Sequence, residues 1–336
     1  MGDFMHQDRS AGRTAGRLGA AVTVCLTLLP VVGCSAGSGG VAAGEPGARA
    51  SAAAAVSAKD GGGPGTASAA PTAASTPEPA ALAQAQVNIA DGRTVGVGMP
   101  ISVTFPKPVP AADRKAVESL LRVQTSTGTT GAWSWVKDQN LRDGQRVDFR
   151  PKTAYWQPGT KVTLHVGAHA VHQFTIGRSL IASVDVDAHM MTVRADGRTT
   201  HIPVTTGRPG LDTWNGTMVV MDKAPKVHMD SRTVGLGDAY NGDYFWAVHL
   251  TTSGTYVHQN ERADTEAGHH NVTHGCVGLA TDGTARRFYD QIRVGDVVTV
   301  AGGKKDIVAT GNGYGDWNLS WEQWLARSAA GETATA

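Results

Sequence analysis

The sequence predicts a mainly β protein: a module of sandwich size, then a second β-rich domain with one packed helix, then a short helical C-terminal segment. Three observations carry this prediction. From about residue 85 onward, short runs alternate β-branched and polar residues. Gly, Pro and Asp turn residues separate those runs. Helical periodicity is confined to three short stretches.

Residues 85–175 contain the runs "QVNIA", "PISVTF", "RVDFRP" and "KVTLHV", the pattern of half-buried strands in a sandwich. "ADRKAVESLLRV" interrupts them with an amphipathic helix whose stripe is Val117, Leu120 and Leu121. Trp133, Trp135, Tyr155 and Trp156 lie on short strands or their turns, so they are expected in the core rather than on a carbohydrate platform. In residues 176–302 the run "SLIASVDVDAHMMTVRADGRTTHIPVTTG" reads as strand, turn and strand, with Asp196-Gly197 supplying the positive φ angles of a hairpin. Further strands are expected at "GTMVVMD", "YFWAVHL", "GTYVHQ" and "VGDVVTVAG", and a helix at "TARRFYDQI". In residues 303–327, Trp317, Trp321 and Trp324 fall at i, i+4 and i+7, which predicts one apolar helical face that docks onto a domain. Residues 328–336 read as a tail.

The N-terminus is of a different kind. Arg9, Arg13 and Arg17 precede the apolar run "LGAAVTVCLTLLPVV", the order of an export signal spanning residues 1–33. The run is short for a membrane span. It ends at "VVGC", which resembles the lipobox of bacterial lipoproteins, with cleavage after Gly33 and lipid on Cys34. Residues 34–84 are almost wholly Ala, Gly, Ser, Pro and Thr, a composition that cannot fill a core, and they read as a disordered linker. About 50 flexible residues span roughly 40 Å, enough to hold a folded part away from a bilayer. The expected location is therefore the outer face of the cytoplasmic membrane, reached by a lipid anchor, with the folded part acting in the wall.

Lys and Arg total 30 against 29 Asp and Glu, so no basic field exists to gather nucleic acid. Cys25, Cys34 and Cys276 are the only cysteines, too few for a disulfide framework. Cys25 lies in the export signal and Cys34 at the lipobox. Cys276 alone is left as a free thiol in the folded part.

Cys276 closes the segment "YVHQNERADTEAGHHNVTHGCVGL", which also holds His258, His269, His270 and His274. A zinc site would use three or four N or S ligands, normally in tight pairs such as CxxC or HxxxH, and this irregular series with a single sulfur does not match. Nucleophilic catalysis asks for one thiol, one imidazole within reach and donors for an oxyanion. His258, at a predicted strand end sixteen residues before His274, is the candidate base. The Gln259 main-chain carbonyl is positioned to orient its ring. Gly275 allows a tight backbone turn beside the sulfur.

His258 followed after sixteen residues by Thr273-His274-Gly275-Cys276 resembles the catalytic signature of the L,D-transpeptidases. "HMDSRTVGLGD", "DYFWAVHLTTSGTYVH", "RRFYDQIRVGDVVTV" and "GDWNLSWEQW" extend the resemblance to actinobacterial wall enzymes of this family, over about residues 85–325. The resemblance implies an immunoglobulin-like β-sandwich, a catalytic domain and a short C-terminal subdomain. It implies Cys276, His258, His274 and Gly275 as catalytic residues. Substrate-binding residues would be Met229 and Tyr240, under a lid of residues 229–257, with Trp246, Gln259, Asn271 and Thr273. The implied partners are peptidoglycan stem peptides, with carbapenem β-lactams as covalent inhibitors and no metal or organic cofactor. The implied reaction is a three-to-three crosslink formed through a cysteine thioester with release of D-alanine; a carboxypeptidase using the same site and a non-catalytic wall-binding lipoprotein are the alternatives. The chain departs from the family pattern at Gly278, where Asn is common, and at Val234 and Arg262, where relatives often carry aromatics.

Overall fold

The computed structural model describes residues 78–335, which lie within one compact unit. The expectations about export, Cys25, lipidation at Cys34 and most of the linker fall outside the described residues.

The N-terminal domain is built from β1 (Gln86–Val87), β2 (Thr94–Val95), β3 (Ile101–Thr104), α1 (Arg114–Leu120), β4 (Leu121–Thr125), β5 (Thr130–Trp135), β6 (Arg146–Pro151), β7 (Lys161–Val166) and β8 (Ala170–Ile176). Two sheets face each other. The order β2-β8-β7-β4 forms one, and β1, β3, β6 and β5 lie side by side in the other. Inward residues such as Val103, Phe149, Leu164 and Ile176 fill the space between them. Trp133, Trp135 and Trp156 are buried there, and each indole N–H finds an acceptor: the Leu121 carbonyl, Glu118 and the Met99 carbonyl.

Two boundaries differ from the sequence expectation. Residues 80–84, expected as linker, form a 3₁₀ turn, Ala80–Gln84, that buries Leu82 in the sandwich core. One leucine among alanines carries too little periodicity to be seen in the sequence. Residues 328–336, expected as a tail, contain the last strand, Glu332–Ala334, which pairs antiparallel with β5 and completes the five-stranded sheet. Thr335 is buried beside it.

The second domain contains β9 (Leu180–Asp185), β10 (Met190–Ala195), β11 (Arg198–Pro203), β12 (Gly216–Val219), β13 (Asp222–Asp230), β14 (Asn241–His249), β15 (Tyr256–Gln259), α2 (Ala263–Glu266), β16 (Val277–Leu279), α3 (Thr284–Gln291) and β17 (Val297–Ala301). Asp196 and Gly197 take positive φ in the β10/β11 hairpin, as expected. The sheets run β11-β10-β9-β17-β12 and β13-β14-β15-β16, and Met191, Met218, Val248, Val257, Val277 and Phe288 pack between them. β15 and β16 are parallel, so the chain must cross over between them, and that crossover is the His- and Cys-bearing segment.

The two domains are joined by backbone hydrogen bonds, Gly96 N–H to the Val294 carbonyl and Gly98 N–H to the Gly295 carbonyl. A Cβ on Gly96 would lie 2.1 Å from the Asp296 nitrogen, so only glycine permits this approach. The C-terminal tryptophans do dock, but not from one helix. Trp317 sits in a 3₁₀ turn, and Ser320 then caps α4 (Trp321–Leu325) with a reciprocal Gln323 bond. Their rings converge on the Arg150 guanidinium of β6 at 5.0, 5.4 and 4.9 Å.

Candidate active site

The parallel register sets Val257 opposite Val277 and His258 opposite Gly278. Val257 and Val277 point into the core, so their neighbours His258 and Cys276 are turned to the opposite face. Both line a cavity of ≈ 440 Å³ with Met229, Tyr240, Tyr244, Gln259, Thr273 and His274.

His258 is buried, and its Nδ1 lies 2.6 Å from the Gln259 carbonyl oxygen. A carbonyl only accepts, so Nδ1 carries the proton and Nε2 keeps its lone pair. Burial pushes the imidazole down to about 4, opposed by that carbonyl bond. The ring is therefore neutral at ordinary pH, the form a general base requires. Tyr244 packs edge-on against it at 5.0 Å.

Cys276 is a partly exposed free thiol. Burial pushes it up to about 11, and the Tyr256 backbone N–H works in the other direction. Its Sγ lies 3.7 Å from the Gly254 carbonyl oxygen, an acceptor that favours the protonated thiol. The preceding turn is tied by Thr273, whose hydroxyl donates to the Cys276 carbonyl at 2.6 Å and accepts from Gly275 N–H at 3.2 Å. Gly275 has φ +117°, a conformation that L side chains rarely adopt. His274 is turned toward Tyr240, ring centroids 5.4 Å apart, and its pKa is lowered by burial and by Arg208 and Arg262. Burial, then Cys276 and Tyr244, push the Tyr240 phenol up to about 12, so it stays a hydrogen-bond donor.

Met229, Tyr240, Gln259 and Thr273 thus line the cavity with His258, His274 and Cys276. Gly275 lines a neighbouring pocket that shares Tyr240 and His274, and Trp246 and Asn271 line neither. Trp246 has φ +54° opposite Pro225, which has no N–H for the ladder, and its ring packs against Tyr289 of α3 with Arg286 over its face. Asn271 is a brace: its Oδ1 accepts from the Thr206 N–H and hydroxyl, and its Nδ2 donates to the Val186 carbonyl. His269 and His270 are exposed, His270 against Glu266. Among the described residues no three His, Cys, Asp or Glu side chains cluster in a way that could hold a metal.

Sequence reasoning missed Tyr244, Tyr256, Asn260 and the Gly254 carbonyl. Tyr244 and Tyr256 are visible as aromatics in predicted strands; the face Tyr244 takes depends on the irregularity at Trp246 in the same strand, whereas Tyr256 shares the face of His258 by alternation. Asn260 bears on the Gly278 departure. A Cβ on Gly278 would lie 2.9 Å from Thr205 Cγ2 and 3.0 Å from Asn260 Cβ, so the space beside this glycine is already filled, in part by a residue that carries an amide.

A thiol, a buried neutral imidazole and a phenol in one cavity supply the groups that nucleophilic acyl transfer requires. Comparison narrows that chemistry. A family model described as the L,D-transpeptidase catalytic domain matches residues 180–300, and one described as a bacterial Ig domain matches residues 46–172. L,D-transpeptidase 1 of Mycobacterium tuberculosis is 37% identical over 218 residues, 63% of this chain and 82% of that protein. L,D-transpeptidase 2 of the same species is 32% identical over 257 residues, 71% of this chain but only 60% of its own length. An L,D-transpeptidase from Mycobacterium smegmatis is similar in structure, with TM-score 0.55 and 33% identity over 65% of this chain and 99% of that one. A solved LD transpeptidase in complex with imipenem has TM-score 0.57 and 35% identity over 64% and 97%. The chain belongs to the L,D-transpeptidase family.

Proposed function

We propose that this protein crosslinks peptidoglycan stems through a thioester on Cys276. The observation that supports this most is that the Cys276 thiol lines one cavity with a buried His258 whose Nε2 is left free by the Gln259 carbonyl. In the first half-reaction the Cys276 thiol attacks the carbonyl of the third stem residue while its proton passes to His258 Nε2. The Tyr240 hydroxyl, neutral by virtue of its raised pKa, donates to the developing oxyanion. Collapse expels D-alanine, whose amine takes the proton from His258, and the thioester remains. In the second half-reaction the side-chain amine of another stem gives a proton to His258 and attacks the thioester. A three-to-three amide forms, and the sulfur leaves with the proton returned.

The reading needs no metal or cofactor. The solved relative bound to imipenem, and L,D-transpeptidase 3 of Mycobacterium tuberculosis with its faropenem-derived adduct, support Cys276 as a target of β-lactam acylation, carbapenems such as imipenem included. The apolar run ending at "VVGC" supports export and lipid attachment at Cys34. The test is a tetrapeptide donor incubated with the purified protein, with D-alanine release and the product masses recorded. The expected result is D-alanine plus a crosslinked dimer, both lost in Cys276→Ala. A tripeptide as sole product would instead mean hydrolysis, and full turnover by Cys276→Ala would remove the thiol from the mechanism.

A further inference from the structure

The Gly254 carbonyl that receives the Cys276 thiol belongs to the loop Thr251-Thr252-Ser253-Gly254-Thr255, between β14 and β15. Part of the loop holds itself: Gly254 N–H donates to the Thr251 carbonyl and Thr255 N–H to the Thr251 hydroxyl, each 3.0 Å. Its middle is held from outside the domain. Asn312, a buried residue of the C-terminal segment, accepts from the Ser253 N–H at 2.9 Å and from the Thr252 hydroxyl at 3.0 Å, and donates through Nδ2 to the Ser253 hydroxyl at 2.9 Å. Three hydrogen bonds from one side chain thus grip the two residues before Gly254. The N-terminal domain reaches the same point, since Gln139 Nε2 donates to Thr252 Oγ1 at 2.5 Å while its backbone N–H donates to the Gly311 carbonyl.

We infer that Asn312 is a positioning residue for the thiol: it fixes Ser253, and through it the Gly254 carbonyl that aims and restrains Cys276. The inference rests on Cys276 being the nucleophile. Backbone amides that no strand ladder claims keep a single geometry only when partners satisfy them; Thr251 serves those of Gly254 and Thr255, Asn312 serves that of Ser253, and Trp214 and Thr251 share the Ser253 hydroxyl with it. A thiol aimed within a fraction of an ångström reacts far faster than one free to swing, because misplacement by about 1 Å costs up to about 100-fold. The carbonyl also accepts from the neutral thiol, so holding it in place keeps the proton on sulfur until His258 removes it. The N-terminal domain and the C-terminal segment therefore reach the reacting sulfur through a single loop.

The test uses the full chain and imipenem as the acylating probe, with adduct formation followed by mass and its rate measured against imipenem concentration and pH. Asn312→Ala is expected to lower the saturating acylation rate about 10-fold, to leave half-saturation nearly unchanged, and to move the pH profile of Cys276 alkylation by iodoacetamide to lower pH, because the carbonyl no longer favours the thiol. Asn312→Asp restores the rate to within about 3-fold, since its carboxylate accepts from the Ser253 N–H and from both hydroxyls. An Asn312→Ala protein with wild-type rate and pH profile overturns the inference, as does an Asp variant that fails to restore them. If Asn312→Ala does not fold, Thr252→Val, which removes one of the three gripped groups, is measured in its place, and a wild-type pH profile there overturns the inference equally. Absence of any adduct on the wild-type chain would overturn the nucleophile assignment as well, an outcome separable from a failure at Asn312 alone.

Discussion

Two polar regions of this molecule, one a buried ion cluster and the other a half-buried cleft around His258, treat charge in opposite ways. Beneath the N-terminal sheet, Arg146 pairs with Asp148 at 2.5 Å and Asp138 at 2.7 Å. Burial opposes its charge, but Asp148 beside it wins and the guanidinium is held more firmly charged than usual. Arg150, close by, is enclosed by three indole faces. Around the cleft, His258 is buried while Cys276, Tyr240, Tyr244 and Tyr256 are half-buried, and none has a counter-ion at hydrogen-bond distance. Burial is the first cause of every shift there, and each one favours the neutral form. The contrast teaches that burial alone does not decide ionisation; the presence of a partner does. Arg146 is paired and held charged, Arg150 beside it has only carbonyl acceptors and a pKa lowered by burial, and the cleft holds a neutral thiol and imidazole.

Breaking the neutral pair has the largest expected effect. His258→Ala should slow acylation of Cys276 by about 10²- to 10⁴-fold, with His269→Ala and His270→Ala near wild type. In the wild-type chain the acid limb of the acylation profile should fall near pH 4, where His258 becomes protonated and can no longer accept the thiol proton. Alkylation of Cys276 by iodoacetamide should keep rising toward pH 11. An acid limb near 6.5 together with an alkylation plateau below pH 7 would show a preformed thiolate–imidazolium pair and erase the contrast between the two interiors.

The paired interior is challenged next. Trp324 is fully buried, donates to the Ala132 carbonyl and covers Arg150. Trp324→Ala should cost about 3–5 kcal/mol of stability in a urea melt, because it opens a cavity and uncovers a buried cation. A loss below about 1 kcal/mol would mean that the segment is only loosely docked.

The smallest expected effect sharpens the comparison at its edge. Asp316 is buried in the paired interior, neither of its carboxylate oxygens meets a donor, and burial and Asp148 raise its pKa well above the ordinary value. The folded state therefore holds a proton that the unfolded state releases, so the contribution to stability is present at low pH and declines as pH rises above the ordinary carboxylate range toward the folded value. Asp316→Asn should fold with nearly unchanged stability at pH 5 and lose less than the wild type between pH 5 and 8. Thermal melts at the two pH values measure this; an identical decline in both proteins would place Asp316 among the ionised groups.

Much of this was legible beforehand, for identifiable reasons. Alternation in "KVTLHV" and the Asp196-Gly197 turn are local signals, and the strands and hairpin stand where they point. His258, Thr273, His274 and Cys276 share the cavity because a strand, a crossover and a parallel strand bring them there, and spacing along the chain carries that information. Trp246 and Asn271 were misread because direction matters as much as position. Proline at residue 225 and a positive φ at Trp246 turn that ring onto α3, and Asn271 spends its amide on Thr206 and Val186.

The sequence by itself determined the β-rich class, the order of elements and the family, and it singled out the thiol and imidazole proposed to react, since all of these rest on residue types at short separations. Only the tertiary structure decided that Leu82 and the last strand belong to the sandwich, that three tryptophans from two separate turns enclose Arg150, and that Asn312 grips the loop facing Cys276. Those contacts join residues from tens to just over two hundred positions apart. They exist because buried polar groups must find partners wherever the packed chain brings one near, and no local pattern records where that will be.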